Sequence, residues 1–223
     1  MENASRQIRI IEFNGIPGCG KTTIAKAFTN KIDCGIKHDH YRSRFSRNIN
    51  SLLLTPQYYS LINKTNKYAE LYPVKQRLSR VLLPAFFIRK YRRFLKDDCS
   101  NLLLVEQGFV QSVISIAHTN KLIESQLLLD IVKDSGLDKM PILIVNCICN
   151  ADVSYARIKG RVNNGARVHG MSDDDMYRTL ITQIHNFHYL RSLLTDLFPG
   201  VTTIDINTSL DVDVNTNRII QMI

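Results

Sequence analysis

Several features that would assign a protein to a class are missing from this chain of 223 residues. No stretch of about 18 apolar residues is present, so no segment qualifies as a membrane-spanning helix. Residues 1–7 lack the apolar centre of an ordinary secretory signal and lead directly into a β-rich run. No C-x-x-C pair occurs, and the five cysteines are typical of reduced thiols in a cytosolic protein. We therefore expect a cytoplasmic protein.

Acidic residues are also in short supply. Asp and Glu total 20 against 29 for Lys and Arg, which gives a net charge of +9 with neutral His. This surplus fits an anionic partner, and phosphorylated small molecules, nucleic acid and anionic membranes all qualify. The sequence has no internal repeat, low-complexity tract or Gly/Ser linker, and no histidine spacing that indicates zinc. We predict one domain over residues 1–223.

Four short runs rich in β-branched and apolar residues predict strands. They are Ile8–Phe13, Leu102–Val105, Ile142–Ile148 and Val201–Ile206. Strands that are apolar on both faces are typical of a parallel sheet covered by helices. A weaker candidate near Gly35–His38 brings the total to about five. We therefore predict an α/β fold with a doubly wound parallel sheet flanked by helices.

The intervals between these runs carry helical patterns. Candidate helices cover residues 111–118, 125–133 and 212–222, and another begins at Ser172, a capping residue followed by three Asp residues. Between residues 38 and 99 basic and aromatic side chains mix without a strong strand. We predict that this segment is a helical lobe inserted into the domain.

The most specific motif is Gly-Ile-Pro-Gly-Cys-Gly-Lys-Thr, at residues 15–22. It satisfies G-x-x-x-x-G-K-[ST] in full, between a predicted strand and a predicted helix. Its glycines let the backbone point N–H groups at phosphate oxygens, and the following helix adds its positive end. Lys21 is predicted to bridge the β- and γ-phosphates and Thr22 to bind Mg²⁺. The predicted nucleotide-binding residues are Gly15, Ile16, Pro17, Gly18, Cys19, Gly20, Lys21, Thr22 and Thr23.

A carboxylate follows the second predicted strand. Glu106 comes directly after Val105, at the edge of the sheet where open parallel sheets bind their ligands. It could hold a metal-bound water or accept a proton from a substrate hydroxyl. The alternative is a solvated residue at a strand end.

Arginines follow the third predicted strand. Arg157 and Arg161 are four residues apart, so a helix presents both on one face, and Arg167 comes soon after. Guanidinium groups stabilise the charge of a transferring phosphoryl group. The alternative is a basic, exposed helix. We predict a lid over about residues 157–172, with these three arginines and Lys21 and Glu106 as the catalytic set.

Taken together, these motifs resemble the nucleoside- and nucleotide-kinase group of P-loop proteins, nearest to its thymidylate-kinase-like members. The match covers roughly residues 8–31, 100–112 and 142–223. It does not extend to the predicted lobe at residues 38–99. The resemblance implies that the loop binds ATP, that the lid arginines engage phosphates and that Glu106 serves Mg²⁺ or the acceptor. Gln107 stands where this group usually has Arg, which argues against a phosphorylated nucleotide as acceptor.

The acceptor side has weaker candidates. His38, Asp39, Arg42 and Gln107 are predicted to bind the acceptor, although a basic cluster of this kind is commonly a solvated face. The leading function is an ATP- and Mg²⁺-dependent kinase for a nucleoside, nucleotide or sugar. One alternative is an NTPase switch that acts on a partner without an acceptor, and another is a nucleic-acid-associated protein, for which no recognisable module is present. The resemblance leaves a homodimer open.

Overall fold

The computed structural model describes residues 7–32, 36–39, 58–69, 74–97, 102–116, 125–161, 171–198 and 200–223. The strands are β1 (Ile10–Asn14), β2 (Ile36–Asp39), β3 (Leu102–Val105), β4 (Ile142–Ile148) and β5 (Thr202–Asn207). The α-helices are α1 (Lys21–Lys31), α2 (Tyr59–Ala69), α3 (Val74–Lys96), α4 (Phe109–Ile116), α5 (Ser125–Ser135), α6 (Ala151–Lys159), α7 (Asp173–Leu197) and α8 (Val212–Ile220). A short 3₁₀ helix, Leu137–Lys139, precedes β4.

The five strands form one parallel sheet in the order β2-β3-β1-β4-β5. Because β1 lies at the centre, the chain turns to one side of it for β2 and β3 and to the other for β4 and β5. The carboxyl end of β1 is therefore the point where such sheets leave a crevice for a ligand. The predicted doubly wound α/β fold with about five strands is confirmed, and the weak strand candidate is β2.

Alternating side chains of β1 reach the two helical layers. Phe13 packs edge-on against Phe28 of α1, with ring centroids 6.2 Å apart. Glu12 points to the opposite face and contacts residues of α3 and α4. Both faces of β1 are therefore buried, which explains why its run is largely apolar.

The helices form a layer on each face of the sheet. On one face α1 packs against α8, and Lys31 pairs with Asp213 at 2.8 Å. On the other face α4 contacts both α3 and α7, while α2 packs against α3 and α5. Helix α7 begins where predicted, with the Ser172 hydroxyl accepting from the Asp175 N–H at 3.2 Å.

Helices α2 and α3 both fall within the predicted inserted lobe, residues 38–99, and that domain assignment stays a prediction. Among the described residues, no helix combines the length and apolar content needed to cross a membrane.

Candidate active site

The segment Gly15–Thr22 forms a tight turn between β1 and α1 that requires glycine at several positions. Gly15, Gly18 and Gly20 have φ values of 148°, 78° and 93°, which L-residues rarely adopt. Space is also limiting, because a Cβ on Gly15 would lie 2.5 Å from the Cys147 carbonyl oxygen. A Cβ on Gly18 would lie 2.6 Å from the Ser154 carbonyl oxygen. The loop therefore lies in close contact with β4 at Gly15 and with α6 at Gly18.

Helix α6 and the turn after β5 hold the outer side of the loop. The Ser154 hydroxyl donates a short hydrogen bond to the Pro17 carbonyl. The Arg157 guanidinium donates to the Cys19 carbonyl at 3.3 Å and to the Thr208 carbonyl at 2.7 Å. A third bond runs from Arg157 to the Thr208 hydroxyl at 3.2 Å. Arg157 therefore links the loop to the end of β5.

Lys21 crosses the inside of the loop. Its ammonium donates to the carbonyls of Gly15 and Ile16 at 2.7 and 2.9 Å, and its nitrogen lies 3.5 Å from Cys19 Sγ. Burial opposes ionisation of the Cys19 thiol, but a hydrogen bond with Cys147 and the charge of Lys21 outweigh it and lower the pKa of Cys19. The loop therefore holds the positive charge of Lys21 against its own carbonyls and the Cys19 thiol.

Thr22 and Glu106 meet in the crevice beyond β1 and β3. The Thr22 hydroxyl, in the first turn of α1, donates to Glu106 Oε2 at 2.7 Å, although 84 residues separate the two in sequence. Both offer the hard oxygen atoms that Mg²⁺ prefers, and Mg²⁺ typically takes few protein ligands because it retains water. The two predicted side chains thus fit a magnesium ion at the mouth of the loop.

The predicted acceptor residues begin at the neighbouring strand end. In the register of β2 and β3, Asp39 pairs with Val105 and His38 with Leu104. The backbone of Asp39 therefore ends its strand beside the residue that precedes Glu106. Gln107 is exposed next to Glu106, and Arg42 lies outside the described residues.

The predicted lid is described only at its two ends. Helix α6 ends at Lys159 and Arg161 is exposed two residues later, so the expectation that one helix presents Arg157 and Arg161 on the same face is wrong. Arg167 lies within residues 162–170, outside the described part of the chain. An ion pair between Lys159 and Asp173 joins the end of α6 to the start of α7. The end of α6 and the start of α7 therefore lie together at the two described ends of the predicted lid.

Some residues at this site carried no signal in the sequence. The Gly15 N–H donates to Gln111 Oε1 and to Asn14 Oδ1, both at 3.0 Å. Ser154 and Thr208 hold the loop and Arg157, as described above. No motif spacing marks Asn14, Gln111 or Ser154: Asn14 acts on the residue that follows it, whereas Gln111 and Ser154 act on backbone groups that only the folded chain brings near.

Comparison with solved structures finds the same fold in two kinases. No protein-family model and no curated protein sequence matches the chain. Among solved structures, deoxyadenosine kinase from M. mycoides with bound dATP superposes with a TM-score of 0.55 at 15% identity, covering 96% of this chain and 97% of that one.

The same enzyme with dCMP and a flexible dCDP bound gives a TM-score of 0.55 at 13% identity, covering 95% and 97% of the two chains. Shikimate kinase from Bacteroides thetaiotaomicron gives 0.50 at 12% identity, covering 96% and 97%. These likenesses extend over nearly the whole chain and establish the fold. The nearer likeness to thymidylate kinases stays a prediction.

Proposed function

We propose that the protein is an ATP- and Mg²⁺-dependent phosphotransferase that moves the γ-phosphate to a small-molecule acceptor. The observation that carries the proposal is the 2.7 Å contact between Thr22 and Glu106, at the mouth of the loop that encloses Lys21. A phosphate loop alone accounts for binding a triphosphate. A carboxylate beside its metal-binding hydroxyl, at the end of a neighbouring strand, adds a group that can act on an acceptor.

The donor half of the reaction falls to the loop and α1. Backbone N–H groups of the loop, other than those of Gly15 and Cys19, which bond within the protein, and the N-terminal end of α1 would supply positive potential for the phosphates. Lys21 bonds the carbonyls of Gly15 and Ile16 in this structure, and we expect it to exchange them for phosphate oxygens when nucleotide binds.

Thr22 would bind the metal with Glu106 beside it, and a bound Mg²⁺ would neutralise charge on the β- and γ-phosphates. Glu106 has two roles open to it. It can orient a metal-bound water, or it can accept the proton of the acceptor hydroxyl. The arginines after β4 would stabilise the transferred group, Arg157 from a fixed position and Arg161 from the base of the proposed lid.

For the acceptor we propose a compound with a free hydroxyl, drawn from the nucleosides, nucleotides and sugars. Two structural neighbours are named for a deoxynucleoside and for shikimate, which supports a small hydroxyl compound. The end of β2, at Asp39, lies next to the Glu106 strand end and offers a place to bind it. The segment at residues 38–99 would supply the rest of that pocket.

The direct test is ADP release from ATP·Mg²⁺ with a panel of nucleosides, deoxynucleosides, nucleotides, sugars and shikimate. Lys21→Ala serves as the blank. We expect at least one acceptor to stimulate ADP release and to gain one phosphate by mass spectrometry. ADP release at the same rate with and without every acceptor would contradict a kinase and favour the NTPase switch.

A further inference from the structure

A buried carboxyl group lies in β1, close to the phosphate loop, and the proposed reaction does not use it. Glu12 is fully buried in the middle of the central strand. Its Oε2 accepts from the Tyr91 hydroxyl of α3 at 2.8 Å, and its Oε1 accepts from the Gln111 N–H of α4 at 3.1 Å. A charged residue is seldom buried without such partners.

Three parts of the fold meet at this carboxyl group. The Tyr91 oxygen also accepts from the Phe109 N–H at 3.2 Å, so Glu12 and Tyr91 together cap the first turn of α4. Gly108 completes the packing, because a Cβ there would overlap both the Tyr91 hydroxyl and the Glu12 carboxyl. We refer to Glu12, Tyr91, Gly108, Phe109 and Gln111 as the Glu12 cluster.

The cluster is connected to the site in two ways. Gln111 gives its backbone N–H to Glu12 and, through its side-chain oxygen, accepts from the Gly15 N–H of the phosphate loop at 3.0 Å. Gly108 comes two residues after Glu106, whose carboxylate accepts from Thr22. The start of α4 therefore contacts the phosphate loop through Gln111, and it is joined to Glu106 by the two residues that precede the helix.

We propose that Glu12 is a positioning residue: with Tyr91 it holds the first turn of α4 against β1, and thereby holds Gln111 on the phosphate loop and Glu106 beside Thr22. The proposal rests on the proposed function in taking that loop as the nucleotide site. The Glu12 cluster is also where α3, a helix of the proposed lobe, reaches the centre of the sheet. A change in the packing of α3 would therefore alter the nucleotide site through the Glu12 cluster.

The surroundings of Glu12 place the ionisation of its carboxyl group near neutral pH. In register, β3 and β4 place the apolar residues Val105 and Ile144 beside it, α3 presents the Tyr91 phenol, and α4 presents N–H groups. Burial raises the pKa of Glu12 to about 7, and the bonds from Gln111 and Tyr91 hold it from rising further. The ionised form accepts both bonds, so the cluster should tighten as pH rises through about 7.

The first test measures amide hydrogen exchange of the protein without nucleotide. Glu12→Gln resembles the protonated carboxyl, and Tyr91→Phe removes the hydroxyl. In both we expect exchange at residues 15–22 and 109–112 to speed up by about tenfold, as losing one hydrogen bond to a charged group predicts. Asp134→Asn is the matched control, since its carboxyl joins α5 to α2 at Ser60 and Lys64. Exchange in both segments at the wild-type rate would overturn the proposal.

The second test measures ATP·Mg²⁺ affinity by calorimetry between pH 5.5 and 8.5. At pH 8.5 we expect Glu12→Gln to bind about fivefold more weakly than wild type, the low end of couplings measured between two sites. At pH 5.5 the ratio of the variant's dissociation constant to that of wild type should fall towards one, because wild-type Glu12 is then protonated. A ratio that does not change with pH would overturn the positioning role. A wild-type protein with no nucleotide affinity would instead defeat the proposed function, and the exchange test would still decide the role of Glu12.

Discussion

The phosphate loop and the helices α2 and α3 are held in place by different kinds of contact. Around the loop, side chains bond to backbone carbonyls: Lys21 to Gly15, Arg157 to Cys19, and Ser154 to Pro17. Each contact depends on the path of the main chain, which the glycines determine. The motif therefore specifies the path of the loop and the position of Lys21, while α6 supplies Arg157 and Ser154 in the folded chain.

Helix α2 and the residue before it are joined to α5 and α3 mainly by pairs of side chains. Asp134 of α5 accepts from Ser60 at 2.5 Å and pairs with Lys64 at 2.8 Å. The Arg92 guanidinium of α3 lies 5.3 Å from the centre of the Tyr58 ring, just before α2, and donates to the Ser135 carbonyl of α5 at 3.1 Å. Such pairs depend on two distant positions at once, so no local pattern reveals them. The difference teaches that changes in the loop should affect nucleotide chemistry, and changes in the α2–α5 contacts should affect stability alone.

The largest expected effect is on turnover in Lys21→Ala. Removing the positive charge inside the loop should lower kcat by about 10²–10³-fold, as losing one electrostatic stabiliser of the transition state typically does. Lys31→Ala is the matched control at the other end of α1, where Lys31 pairs with Asp213. Steady-state ADP release measures both. A Lys21→Ala enzyme within twofold of wild type would show that the loop is not the donor site.

Next is Gly18→Ala. Its φ of 78° and the nearby Ser154 carbonyl should make this variant about 2 kcal/mol less stable, which lowers Tm by about 4–8 °C for a chain of this size. Gly160→Ala is the control, because its nearest contact would be an ordinary 3.4 Å. Thermal unfolding followed by circular dichroism distinguishes the two. Equal Tm values would mean that the loop relaxes without strain.

Arg157 and Arg161 should separate in their kinetics. Arg157→Ala removes bonds to the Cys19 and Thr208 carbonyls and should raise KM for ATP about tenfold, the equivalent of one lost charged hydrogen bond. It should also lower kcat, because Arg157 is proposed to stabilise the transferred group. Arg161 is exposed, and its loss should lower kcat with little change in KM. Initial-rate kinetics over a range of ATP concentrations gives both constants. Full turnover in Arg161→Ala would remove it from the catalytic set.

The smallest effect is expected for Asp134→Asn. Burial opposes ionisation of Asp134, but bonds from Lys64 and Ser60 outweigh it and lower its pKa, so the pair stabilises the fold above the ordinary pKa of Asp. The variant should lose about 1 kcal/mol at pH 7 in urea unfolding. That difference should disappear as pH falls through the lowered pKa. Altered ATP affinity in this variant would show that the α2–α5 contacts affect nucleotide binding as well as stability.

Strands β1, β3 and β4 were largely predictable because both their faces are buried, which makes their sequences apolar. Residues 102–105 and 142–148 form β3 and β4 with the predicted bounds, and β5 differs by one residue at each end. Helix α4 was expected from Gln111 but begins at Phe109. Its first N–H groups bond to Tyr91 and Glu12, which lie elsewhere in the sequence. The start of the helix therefore cannot be predicted from a neighbouring capping residue.

By itself the sequence determined the phosphate loop and the alternation of strands and helices around it. Both depend on neighbours along the chain: glycine at positive φ, N–H groups of one turn, and runs of apolar side chains. Only the tertiary structure decided that Glu106 bonds to Thr22 and that Glu12 joins α3, β1 and α4. The physical reason is that those contacts follow from the strand order β2-β3-β1-β4-β5 and from helix packing, which bring together residues that no spacing in the sequence relates.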